Sequence, residues 1–159
     1  MGDPVANQIV VPARATAGDP TPGGATGGGA VLEVYNSNGS GERAMVVLPA
    51  SGWTALDDTQ TPRGYKFKSA LPTDAITRVL VRGNFVRVRG GKNNWSYTLE
   101  EPTQGRVAVR MTMGSGLRWC ADAPAKSSGT PPSTASYDRV DKFVGVRRSP
   151  PPVTCPPIP

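Results

Sequence analysis

The most regular feature of the chain is a two-residue alternation of apolar and polar positions, which begins near Ala30 and is broken every few residues by glycine, asparagine or proline. This period places successive side chains on opposite faces of an extended strand. It predicts strands over residues 30–35 (AVLEVY), 43–48 (RAMVVL), 64–68 (GYKFK), 75–82 (AITRVLVR), 85–89 (FVRVR), 95–99 (WSYTL), 106–113 (RVAVRMTM) and 117–120 (LRWC), with a late strand at 142–146 (KFVGV). Between them lie NSNGSG, PASG, RG, GN, GGKNN, EPTQG and GSG, the glycines and asparagines of which tolerate the positive φ of hairpin turns. No segment carries a sustained helical apolar period. The expected fold is all-β: an antiparallel β-sandwich or jelly-roll-like barrel of about 8–10 short strands.

The flanks read differently. Residues 1–29, with GDP twice and then PTPGGATGGG, have too few large apolar groups to offset chain ordering, and form a Gly/Pro-rich arm or linker. Its one β-prone run is QIVVP at 8–12, where Ile9, Val10 and Val11 are candidates to lie along a sheet edge, either the chain's own or that of another copy. Residues 30–123 form the expected sandwich core. Residues 124–159 form a loop-rich extension that returns one strand and is tied down at Cys155.

Composition narrows this picture. At 159 residues the chain suits one domain. There is no apolar run long enough to span a membrane as a helix. MGDPVANQ lacks the basic and apolar regions of a secretory signal, so the chain is expected either to stay inside the cell or to derive from an exported precursor. Cys120 and Cys155 allow one internal pairing. A disulfide there would close a loop of about 35 residues and contribute about 3–4 kcal/mol in the chain-entropy model. The alternative is two separate thiols. The tail PPPVTCPPIP has little else to hold it, which favours the bond.

Charge is concentrated. Residues 63–118 hold eleven Lys and Arg against three Asp and Glu, whereas residues 1–62 hold two against six. Alternation puts Arg78 and Arg82, and likewise Arg87 and Arg89, on the face opposite the valines. Together with Lys92, Arg106 and Arg110 they make a candidate polyanion-binding face. Phe85, Trp95 or Tyr97 could add stacking, although Trp95 and Tyr97 share a face with Leu99, as core residues would. The plainer reading, preferred at this level, is that a half-buried sheet needs a polar face and that Arg and Lys serve there. If a polyanion is bound, an acidic polysaccharide is expected rather than nucleic acid.

The chemistry of enzymes is thin. The chain has no histidine, which removes imidazole bases and histidine-built zinc sites. Asp57-Asp58 and Glu100-Glu101 are adjacent acids in turn-like contexts, and adjacent strand residues point to opposite faces rather than across a cleft. LDDTQT lacks the graded oxygen spacing of a calcium loop. LPASG at 48–52 resembles a sortase sorting signal without the apolar segment and basic tail that would follow one, and GGATGGG follows no strand as a nucleotide cradle would. No catalytic, cofactor-binding or metal-binding residue is assigned, and a non-enzymatic protein without cofactor is expected.

The stretches GSGERAMVVLPASGW, AITRVLVRGNFVRVRGGKNNWSYTLEEPTQGRVAVRMTMGSGLRWCADAPAK and YDRVDKFVG, with a terminal CPP, resemble β-rich domains of large, predicted-secreted bacterial proteins of no assigned activity. The likeness covers about residues 18–157, with Tyr35, Trp53, Trp119, Cys120 and Cys155 matching the layout. It implies an extracellular or surface setting and a disulfide. The resulting expectation is a secreted or surface-displayed structural or adhesive module that self-assembles through its arm, with polyanion or glycan binding as the alternative.

Overall fold

The fold was described from a computed structural model. The structure describes residues 9–12, 14–15, 29–38, 42–57, 63–82, 85–90, 94–99, 103–113, 117–126, 138–139, 142–145, 150 and 152–159. Its strands are β1 (Ile9–Pro12), β2 (Arg14–Ala15), β3 (Ala30–Asn36), β4 (Arg43–Leu48), β5 (Trp53–Ala55), β6 (Gly64–Lys68), β7 (Ile76–Arg82), β8 (Phe85–Gly90), β9 (Arg106–Met113), β10 (Leu117–Pro124), β11 (Asp138–Arg139) and β12 (Lys142–Phe143). They form two five-stranded antiparallel sheets, ordered β1-β8-β7-β6-β5 and β2-β10-β9-β3-β4, and a small β11-β12 hairpin. Of the two expected architectures the chain adopts the sandwich: the sheets do not close into a barrel.

The core follows the predicted alternation. Val79, Val81, Val86 and Val88 from the first sheet meet Leu32, Val34, Val107, Val109, Met111 and Trp119 from the second in one buried cluster. Burial of this apolar surface is the main stabilising term. Trp53 stands in register with Phe67, their ring centroids 5.3 Å apart, and its indole N–H donates to the Leu48 carbonyl. A bulge between Ile76 and Arg78 shifts the parity of β7, so that Ile76 and Val79 both turn inward. Gly29 enters β3 at φ +73°, with the Leu48 carbonyl oxygen 2.2 Å from where a Cβ would stand, so only glycine fits there.

Three expectations change. Residues 95–99 alternate in burial, with Tyr97 and Leu99 inside, but join no sheet. Trp53–Ala55, following a 3-10 turn at Ala50–Gly52, forms an edge strand that its three-residue length concealed. The late strand 142–146 is shortened to β12, which pairs with β11; Gly145 adds a single bridge to Ala125 rather than a strand of either sheet.

Candidate functional site: a basic sheet face

On the first sheet, Lys66 and Lys68 of β6, Arg78 and Arg82 of β7, and Arg87 and Arg89 of β8 alternate with the buried residues and are all exposed. Register brings them together. Lys68 is opposite Arg78 and Arg78 is opposite Arg89, giving a row of three cations across three adjacent strands. A second row runs Lys66, Leu80, Arg87. Neighbouring strands lie about 4.8 Å apart, so these charges are close even with their long side chains splayed. Among the described residues none of the six makes an ion pair.

The predicted face is thus redrawn. Arg78, Arg82, Arg87 and Arg89 share it, whereas Arg106 and Arg110 do not: both stand on β9, on the outer side of the other sheet. There each is already engaged. Arg106 places Nε and Nη2 at 3.1 and 2.8 Å from Asp122 Oδ2, and Arg110 Nε donates to Glu33 Oε2 at 2.6 Å. Lys92 lies outside the described residues. Lys66 and Lys68 were not assigned to the face from sequence, although the alternation of GYKFK carries them. Of the stacking candidates, Tyr97 is fully buried and Trp95 packs against the core, while the Phe85 side chain lies outside the described ones.

The outer side of the second sheet is partly covered. Glu33, only 3% exposed, is held by Arg110 and by Arg43, whose Nη2 lies 2.5 Å from Oε1. Cys120, on the same side, is joined to Cys155 with Cα atoms 5.4 Å apart, and the Tyr35 hydroxyl donates to the Pro156 carbonyl at 2.7 Å. The C-terminal segment therefore lies over this face as a strap. Burial, the largest influence, raises the Tyr35 pKa above its ordinary value near 10. Elsewhere, the Asp138 carboxylate accepts from the Gln104 and Gly105 amides at 2.7 and 2.6 Å, and the Gln104 side chain accepts from Tyr97 and Asn36.

Among the described residues no group of three or more Cys, Asp or Glu is placed to hold a metal ion, and no helix is long and apolar enough to cross a membrane. Ile9, Val10 and Val11 lie in β1, paired with β8 of the same chain in the register Ile9↔Val88, Val10↔Arg87, Val11↔Val86. No protein-family model matches the chain, and neither a curated protein nor a solved structure matches it.

Proposed function

We propose that the protein is a non-enzymatic, extracellular adhesive module that holds acidic polymers, foremost an acidic polysaccharide, on the outer face of its first sheet. The row Lys68, Arg78, Arg89 carries the proposal. A wet sheet face requires polarity but not a single sign of charge. Like charges directly opposite one another on neighbouring strands destabilise a sheet by some tenths of a kcal/mol each, and alternating signs would relieve this. A row of unmatched cations is favourable once a chain of anions lies along it, releasing counterions as it binds. The second sheet of the same molecule has its arginines at 43, 106 and 110 matched by carboxylates, so pairing was accessible to this fold. The row of cations supports recognition by charge, and with Tyr97 and Trp95 drawn into the core an acidic polysaccharide is the favoured polymer. The disulfide supports an oxidising compartment.

Retention on immobilised heparin tests this. The protein should bind at low salt, elute as salt screens the face, and lose retention in Arg78→Gln/Arg89→Gln. The matched-charge control Arg43→Gln/Arg106→Gln should elute close to the parent. Flow-through of the parent at low salt, or equal losses in both double variants, overturns the proposal.

A further inference from the structure

β1 and β2 are separated by a single residue yet belong to different sheets: β1 lines the β8 edge of the first and β2 the β10 edge of the second. The arm thus closes one side of the sandwich, capping two open edges at once. Those two edges form a slot whose hydrogen-bonding groups match an extended segment crossing from one sheet to the other. Any copy of this arm satisfies them.

The connection between arm and body sets which copy does so. Ala15 is in register with Trp119, Trp119 with Met111, and Met111 with Leu32, so β2 lies three strand spacings from β3. Three spacings of about 4.8 Å, with the offset along the strand from Leu32 back to Gly29, put Ala15 about 17 Å from Gly29. Residues 16–28, thirteen in all, link them, and their contour reaches about 48 Å. The connector is more than twice as long as closure within one chain demands, which leaves enough reach for the slot of an adjacent molecule.

We infer that the slot is an interface for a second copy of this chain, entered by that copy's residues 9–15. Within one molecule the tether gives the arm an effective concentration in the millimolar range, so the closed monomer dominates in dilute solution. Where copies are crowded to comparable concentration, arms pass between molecules with the same ladder and no new contact, the low-cost route of segment exchange. Reciprocal exchange gives a dimer, whereas passing each arm onward gives a chain of modules.

Deleting residues 18–27 tests the inference in the full chain. Three residues then remain between Ala15 and Gly29, a contour of about 14 Å, too short for closure within one molecule. Sedimentation should show at least a doubling of mass at micromolar concentration, with the arm amides still protected from hydrogen exchange. A monomer with an unprotected arm overturns the inference. If the deletion prevents folding, full-length chains carrying 15N are mixed with chains carrying 13C at millimolar concentration and examined for cross-chain contacts between residues 9–12 and 85–88. Their presence supports exchange, and their absence overturns it.

Discussion

Asp138 shows how one side chain can fix a turn. Its two oxygens take the amide protons of Gln104 and Gly105, the latter at φ +68°, and so shape the approach to β9. Asp138→Ala would leave buried donors unmatched, and a loss of about 2–3 kcal/mol is expected from chemical denaturation, with Asp138→Asn losing less because its carbonyl still accepts one proton. A change under about 0.5 kcal/mol would show that water takes over the role. Tyr35 makes a prediction about pH. Its folded-state pKa is raised, so the folded protein keeps the phenol proton after the unfolded chain has released it. The stability this provides is complete below pH 10 and declines as pH climbs from there through the raised folded value. Unfolding midpoints measured above pH 10 should fall in the parent and fall less steeply in Tyr35→Phe. In sequence Asp138 was one acid among several in a loop, and Tyr35 one more strand aromatic. Their roles depend on partners 33 to 121 residues distant, which local pattern does not encode.

At the scale of elements, the strap over the second sheet gives the most direct test of the cysteine pair. Reduction, or Cys155→Ser, should cost about 3–4 kcal/mol and lower the melting temperature by about 10 °C. It should also free Tyr35 to ionise nearer its ordinary pKa, which absorbance titration reads independently of stability. Strand existence was legible in alternating runs such as GYKFK and RVAVRMTM, which became β6 and β9 with the expected ends. WSYTL shows the limit: alternation reports half-burial, and residues 95–99 are half-buried without a neighbouring edge to pair with. The division of the arginines was not legible for a related reason. Period two says which side of its own strand Arg106 occupies, but not that β9 sits in a different sheet from β7 and β8.

The whole molecule is a slab whose two broad sides differ in character. One carries six exposed cations without described counterparts, while the other has its arginines at 43, 106 and 110 each ion-paired, two of them sharing Glu33, and is partly covered by the disulfide-held C-terminal segment. Sequence revealed the basic excess, but only the topology shows that it is one-sided. An asymmetric slab of this type has a preferred landing posture on any negatively charged support: torque from the surface field turns the lysine and arginine side down before contact. The strapped side, with Met45 and Val47 exposed along β4, then faces outward, so a layer of such molecules would present an apolar-edged skin to its surroundings while turning its unpaired row of cations beneath.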